Sequence, residues 1–520
     1  MPLVRPHRPA PRKRNLKFLI RKVHKWVGLS VFWWLAILGI TGICLDHPDW
    51  RWQHQTLIPG LSTPVNNKNG QHLRHPRDWS AHFALSRSND ELMISGGPGG
   101  LRVSSDRGTN WQVVDLNSSK DAVLVYDIVS PRLISEDRPF IATDRGIWKM
   151  REGGSPADLV AFPNQRVTSL SYDEQTRTLL AVINRSKMYE YSLDAPNRQK
   201  QLISSDRPVQ GLPKKVSLNR WGFDLHLGTG FFAKPFSILT NDFAGGAMVV
   251  LAISGILYWM LPRHWARLKS KPSPALRRKL LTWLYRFHVY FAGLLIIVPT
   301  LYLSATGIFL GHKTWFQGWS ETIEIDHKFI PGHYHLASFH GEIESLVRKP
   351  GAPGTLIMLT RMGLLESEDD GRTWTYDASF PFDLHTSWNK LEYYALENGE
   401  LVSDVIGRNF LRPAGSNTWE PIQDIPGYTV ISLSQIGENE LALHTLFGLH
   451  TGSFETGFSK IERDVAPLQG LDVAFIMRII HGVLVFNWLL VWINDAMAIA
   501  SLLMIVSGFT IWITRNRKWI

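Results

Sequence analysis

Two stretches, 241-NDFAGGAMVVLAISGILYW-259 and 494-NDAMAIASLLMIVSGFTIW-512, decide how this chain reads. Both open on Asn-Asp, run apolar for long enough to cross a bilayer, and close on Ser-Gly-x-x-x-Trp. The segments around them repeat as well. RKVHKWVGL with His24 is answered by YRFHVYFAGL with His288, and ITGICLDHPDW with His47 by ATGIFLGHKTW with His312. FDLHLGTG with His226 is answered by RIIHGVL with His481. The chain therefore carries one membrane unit twice, with histidines at matching places.

Charge sets the expected topology. The mean hydropathy of −0.08 averages very apolar and ordinary polar segments. Four spans are expected, at 23–45, 241–261, 287–311 and 493–514, with a further apolar stretch, 473–492, read as interfacial because it carries Arg478, His481 and Asn487. Lys and Arg crowd the arm 1–22, the connection 262–286 and the tail 515–520, which puts all three in the cytoplasm. No small-residue cleavage site follows the first apolar run, so it reads as an uncleaved signal anchor. The net charge of +11 is then a topogenic signal, and a nucleic-acid partner is a poor explanation for it. The connections 46–240, with an interfacial segment near 220–236, and 312–472 fall on the other side. Cys44 is the only cysteine, which excludes an intramolecular disulfide framework and thiolate metal sites.

Both long connections read as antiparallel strands: short alternating apolar runs broken by Gly, Asp, Asn and Pro. Two octapeptides match S-x-D-x-G-x-x-W: SSDRGTNW, with Ser104, Asp106, Gly108 and Trp111, and SEDDGRTW, with Ser367, Asp369, Gly371 and Trp374. ATDRGIW, with Asp144, Gly146 and Trp148, is a looser variant. In such an Asp-box the Asp ties down a hairpin turn, Gly supplies the unusual backbone angle and Trp packs between sheets. Asp-boxes resemble those of sialidase- and sortilin-type β-propellers, where they are structural. At forty-odd residues per blade each connection holds about three blades, and the open edges favour the halves joining into one ring or packing face to face. The expected fold is thus a four-helix membrane part built from a two-fold internal repeat plus an all-β, propeller-like extramembrane domain.

Histidine beside an apolar helix is costly unless something occupies its ring nitrogens. Alone, His24 or His288 reads equally well as an interfacial side chain touching lipid headgroups. Their matched positions favour a shared ligand, for which haem iron is the economical choice. His226 and His481 form a second pair near the other face, and His47 and His312 a third, flanked by Asp46, Asp49 and Lys313 and more consistent with hydration or hydrogen bonding, though able to replace or assist the second pair. Seventeen residues separate His24 from Thr41, about 25 Å of helix, so one ligand pair is expected near each face. Gly28, Gly42, Gly293 and Gly307 would admit a flat macrocycle or a neighbouring helix. No GxGxxG stands on a strand-to-helix turn, so an external electron donor, cytoplasmic or quinol, is required.

R-x-x-H-x-W-x-G at His24, the pairs Thr41-Gly42 and Thr306-Gly307, L-H-x-G at His226 and the two S-G-x-x-x-W segments resemble the PepSY-associated transmembrane family. The resemblance covers the membrane segments and implies a bacterial inner-membrane protein linked to iron uptake. Some members are haem-containing reductases that release iron from siderophores in the periplasm. Propeller-like halves stand here where compact PepSY modules are expected. The expected function is a di-haem b oxidoreductase passing electrons to a periplasmic acceptor, foremost ferric iron in a siderophore, with His24, His288, His226 and His481 as haem-iron ligands. The alternatives are a non-redox membrane-anchored propeller that binds or senses a periplasmic partner and, least favoured, a transporter.

Overall fold

The computed structural model describes residues 16–47, 50–61, 65–66, 71–72, 82–85, 92–97, 100–106, 110–116, 123–129, 138–151, 158–173, 176–195, 199–202, 209–228, 230, 232, 236–269, 272–293, 297–330, 334–336, 338–349, 352–381, 392–396, 399–403, 409–422, 430–435, 441–445, 448–460, 471–482 and 488–516. They form two compact units: Met1–Ile43, Leu239–His312 and Trp488–Ile520 make the helical one, and Cys44–Ile238 with Lys313–Asn487 the other. The helices, in chain order, are α1 (Leu16–Asp46), α2 (Arg51–Gln55), α3 (Leu218–His226), α4 (Phe236–Arg267), α5 (Pro274–Arg286), α6 (Ile297–Gly311), α7 (Lys313–Thr322), α8 (Val473–Gly482) and α9 (Trp488–Asn516).

Among the described residues three helical segments are long and apolar enough to cross a membrane: Leu16–Asp46, Ile238–Arg267 and Val491–Thr514. The expected span at 287–311 is built differently. A π-helical segment, Phe287–Gly293, continues from α5, and α6 is a shorter apolar helix of 15 residues. Of the stretch 473–492, α8 occupies the first ten residues and 488–492 belong to α9, with 483–487 outside the described residues. Helix α5, expected only as part of a connection, starts on Ser273, whose Oγ accepts from Leu276 N at 3.2 Å, with Pro274 in the first helical position.

In the helical unit the two matched asparagines, Asn241 and Asn494, each accept a bond from a donor at an unmatched position. Trp34 Nε1 donates to Asn494 Oδ1 at 3.1 Å, and Tyr302 Oη donates to Asn241 Oδ1 at 2.6 Å. Each joins the first helix of one sequence copy to the second helix of the other. Thr41 and Thr306 both return their hydroxyls to the carbonyl four residues back, those of Ile37 and Tyr302, which spares the bilayer an unpaired hydroxyl. Val31, Leu35 and Ala500 form a small core with Val27, Met248, Met497 and Met504 packed on it.

Among its described residues the second unit contains six four-stranded antiparallel sheets, each with its strands in sequence order, three from each half. Their first strands are His82–Leu85, Val125–Val129, Val167–Asp173, Ile343–Lys349, Glu392–Leu396 and Val430–Gln435. Each first strand touches that of the next sheet, and the sixth touches the first, so the halves close into one propeller-like ring. Cores lie between neighbouring sheets, so inner strands such as Phe140–Thr143 and Thr178–Ile183 are buried along their whole length. That explains their continuous apolar runs. The third and fourth sheets, from different halves, are joined by Ser171 Oγ to Leu346 O (2.7 Å) and by Arg348 Nε to Asp173 Oδ2 (2.9 Å). Two short ladders also cross between halves: Leu57–Ile58 with Leu471–Asp472, and Lys215–Ser217 with Glu324–Asp326.

Both Asp-boxes turn the chain from the third to the fourth strand of a sheet. In the second, Asp369 Oδ1 accepts from Ser367 Oγ and from Thr373 N, both at 2.8 Å, Gly371 takes φ +82°, and Trp374 Nε1 donates to Gly371 O. In the first, Asp106 Oδ1 accepts from Ser104 Oγ and Asn110 N at 2.8 Å each; Gly108 lies outside the described residues. Trp374 is buried, whereas Trp111 is only half-buried, so the two do not fill equivalent gaps. The looser variant at Asp144 is not an Asp-box. It occupies the hairpin between second and third strands, where Thr143 Oγ1 bonds Gly146 O (2.8 Å), as Thr360 Oγ1 bonds Gly363 O (3.1 Å) in the fourth sheet.

Candidate functional site

His24 lies on α1 and His288 in the π-helical segment, and each is held by the same device from another helix. Nδ1 of His24 is 2.9 Å from Ser507 Oγ on α9, and Nδ1 of His288 is 2.9 Å from Ser254 Oγ on α4. The glycine following each serine lies against the ring. A Cβ on Gly508 would stand 3.2 Å from Cε1 of His24, and one on Gly255 would stand 3.3 Å from Cε1 of His288. The repeated Ser-Gly pairs thus fix each ring through Nδ1 and leave Nε2 as the nitrogen able to ligate. Each serine hydroxyl donates to a carbonyl of its own helix, Met504 O and Leu251 O at 3.2 Å, which leaves it to accept from Nδ1–H.

Both rings line one cavity of about 830 Å³ within the helical unit. Its walls are mostly apolar, with Leu29, Phe32, Leu251, Ile256 and Ile505 among them, and it falls in the 300–1,000 Å³ range of cofactor and small-molecule sites. Gly28, Gly255, Gly293 and Gly508 also line it. Gly28 approaches Met504, where an added Cβ would meet Sδ at 3.3 Å. Gly293 meets the carbonyl of His288 instead, so its smallness serves the π-helical turn. Two imidazoles facing an apolar space, each oriented by a second residue, fit the donor set of a tetrapyrrole iron held from both sides. A bulkier residue at 255 or 508 would push the ring it faces.

The second pair is brought together in the other unit. Ser217 caps α3 by accepting from Arg220 N at 3.1 Å, and Asp472 accepts from Phe475 N at 2.7 Å at the start of α8. His226 and His481 sit equally far along from these residues, and their ring centroids are 6.2 Å apart at 51°. Two imidazoles ligating one metal ion from opposite sides, with bonds of about 2 Å, put their ring centres about 6 Å apart. Helix α3 is anchored by buried polar groups: Tyr334 Oη donates to Asp224 Oδ2 at 2.7 Å, and the Arg220 guanidinium meets Asp224 and the carbonyl of Arg361. Burial, then the Asp224 carboxylate, push the Tyr334 phenol well above its ordinary range, so it remains a donor. His327 stacks on Tyr334 at 4.9 Å, and burial, with His335 and Arg220 nearby, lowers its pKa to about 4.

The third pair differs between copies. His312 Nε2 lies 2.5 Å from Asp495 Oδ2, with Trp492 at 5.5 Å, while His47 stacks on Trp50 at 4.5 Å and 4°. An Nε2 engaged by a carboxylate is not directed at a haem iron.

Sequence reasoning singled out the histidines and recorded the Ser-Gly repeats without assigning them a part in the site. The signal that the serines serve the histidines was their identical placement in both copies.

The family described as PepSY-associated TM region matches residues 21–515. No curated protein matches the chain. Among solved structures, an ancestral GH74 enzyme is 9% identical with a TM-score of 0.35, the match covering 78% of this chain and 40% of that one. The extracellular domain of a hybrid two-component system from B. thetaiotaomicron is 10% identical with a TM-score of 0.33, covering 76% and 36%. YCF48 bound to D1 peptide is 10% identical with a TM-score of 0.30, covering 76% and 98%. The chain thus spans well under half the length of the first two. Likeness this low carries no argument about activity.

Proposed function

The chain belongs to the PepSY-associated transmembrane family, and from that premise we propose that it is a di-haem b oxidoreductase of the bacterial inner membrane that reduces a periplasmic acceptor, foremost ferric iron in a siderophore. His24 and His288 hold one haem and His226 and His481 the other. The termini and the 262–286 connection are cytoplasmic, four segments span the membrane as a duplicated pair, and the ring of sheets is periplasmic, following the Lys/Arg asymmetry.

The observation that carries this reading is the duplicated Ser-His-Gly arrangement on one apolar cavity. A bound haem supplies reversible one-electron chemistry. The residues of the chain do the rest: Ser507 and Ser254 hold one tautomer and one ring direction, Gly508 and Gly255 keep the rings unobstructed, and the apolar walls exclude water. His226 and His481, with ring centres 6.2 Å apart, supply the ligand pair of the second site. The electron donor, cytoplasmic or quinol, is external.

Iron chemistry gives the direction. Ferric ion is hard and held by oxygen ligands, whereas the ferrous product is softer and released more readily, so reduction unloads a chelate without destroying it. Chemically reduced protein should be reoxidised by a ferric siderophore with Fe(II) appearing in a chelator assay, more slowly in His226→Ala and His481→Ala. Haems that stay reduced with a panel of ferric chelates, yet oxidise with a periplasmic protein or quinone, would remove the iron assignment and keep the redox one. The size of the six-sheet ring favours a second reading, a non-redox anchor that binds or senses a periplasmic partner. That reading leaves the histidine-lined cavity without a role.

A further inference from the structure

The cavity around His24 and His288 is charged at selected places. Arg21 precedes His24 by about one helical turn, Lys25 is its neighbour, and Arg263 follows Trp259 at the end of α4. All three line the cavity, and no Asp or Glu does among the described lining residues. Their other contacts do not neutralise them. Lys25 Nζ lies 4.5 Å from the centre of the Trp26 ring, and Arg263 lies 4.4 Å over the Trp259 ring and donates to the Trp259 carbonyl at 2.8 Å.

Three cations on an otherwise apolar wall repel one another and favour an oxyanion. An apolar ligand alone would leave that repulsion in place, and a ligand anionic throughout would be poorly accommodated by Leu29, Phe32, Leu251 and Ile505. The lining suits a flat apolar body with acid groups on one edge. We propose that Arg21, Lys25 and Arg263 form the subsite that receives the two propionate carboxylates of the haem held by His24 and His288. The assignment rests on the haem reading above and adds an orientation to it: the acid edge lies toward the Arg21–Arg263 side. Guanidinium groups suit carboxylates because they offer two parallel N–H donors. Lipid phosphate has the same oxyanion chemistry and is the competing source of charge for these residues.

The test uses full-length detergent-solubilised protein made under haem-limited conditions and titrated with haem b or with its dimethyl ester, followed by absorption. The wild-type chain is expected to bind the diacid about tenfold more tightly than the diester, as a few partly exposed charge pairs supply, and the preference should shrink with added salt. The triple variant Arg21→Gln, Lys25→Gln, Arg263→Gln should lose the preference while retaining the diester affinity, and Arg21→Lys with Arg263→Lys should keep part of it. Retained diester binding shows that the triple variant is folded. Equal affinities of the wild type for diacid and diester, with binding still dependent on His24 and His288, would overturn the propionate assignment, leave the haem reading intact and return these cations to lipid headgroups. Binding of neither compound would overturn both.

Discussion

Ser507 Oγ stands 2.9 Å from Nδ1 of His24, bridging α9 to α1, and Ser254 repeats the contact on His288. A residue that orients a metal-ligating imidazole typically contributes 10–100-fold to metal affinity. Ser507→Ala and Ser254→Ala should therefore weaken haem binding at one site by about that factor, with a changed low-spin signal in electron paramagnetic resonance. Ser507→Thr, which retains a hydroxyl, should recover most of it. Unchanged affinity and unchanged signal in both alanine variants would make the serines ordinary helix-packing residues.

Gly39 and Gly245 face one another backbone to backbone. A Cβ on Gly39 would stand 2.5 Å from the Gly245 carbonyl oxygen, and one on Gly245 would stand 2.8 Å from that of Gly39. Backbone cannot step aside as a flexible side chain can, so α1 and α4 must separate to admit any larger residue. Gly39→Val should destabilise the protein by about 1–3 kcal/mol or more, the usual range for overpacking. A thermal melt in detergent equal to wild type would show that the helices do not approach this closely.

Trp374→Ala and Trp111→Ala should differ. Trp374 is buried and packs edge-on to Phe339 at 6.2 Å, so its removal should cost about 3–5 kcal/mol. Trp111, half-buried, should cost clearly less. Limited proteolysis of the intact protein checks the order, and the haem spectrum should be retained in both. Equal protease sensitivity would contradict the packing described for the two Asp-boxes.

The propeller-like unit should lose stability in mild acid. The unfolded chain protonates His327 near its ordinary 6.5, but the folded chain holds it down to about 4. Between those values the unfolded state binds more protons, so stability rises with pH across the window. The contribution is complete above about pH 6.5 and lost as the pH falls to 4. His327→Phe, which keeps a ring against Tyr334, should flatten this part of the melting-temperature profile. A profile as steep as wild type would assign the acid sensitivity to other groups.

The spans at α1, α4 and α9 were legible because apolar length alone marks them, and the strand runs because alternation and turn residues mark their ends. The π-helical segment at His288 was not, since no pattern distinguishes it from α-helix. Helices α2 and α7 escaped because five and ten residues rich in Trp and polar side chains show too little periodicity. At the site, the paired histidines were visible by repetition. Ring closure was anticipated only as one of two ways to cover open sheet edges, because the contacts between the first and sixth sheets that decide it are encoded by no local pattern. The ATDRGIW segment misled because this T-x-x-G hairpin happens to carry Asp144 and Trp148 around its glycine, whereas the equivalent Thr360–Gly363 hairpin has neither.

The most direct measurement is a redox-resolved absorption spectrum of the purified wild-type protein beside its His24, His288, His226 and His481 alanine variants, with haem counted per chain. Two low-spin bis-histidine haems are expected. His24→Ala and His288→Ala should remove or convert one and the same haem while the other keeps its signal, and His226→Ala and His481→Ala should do the converse. A protein expressed with ample haem that carries none, or full occupancy with unchanged spectra in all four variants, would contradict the account.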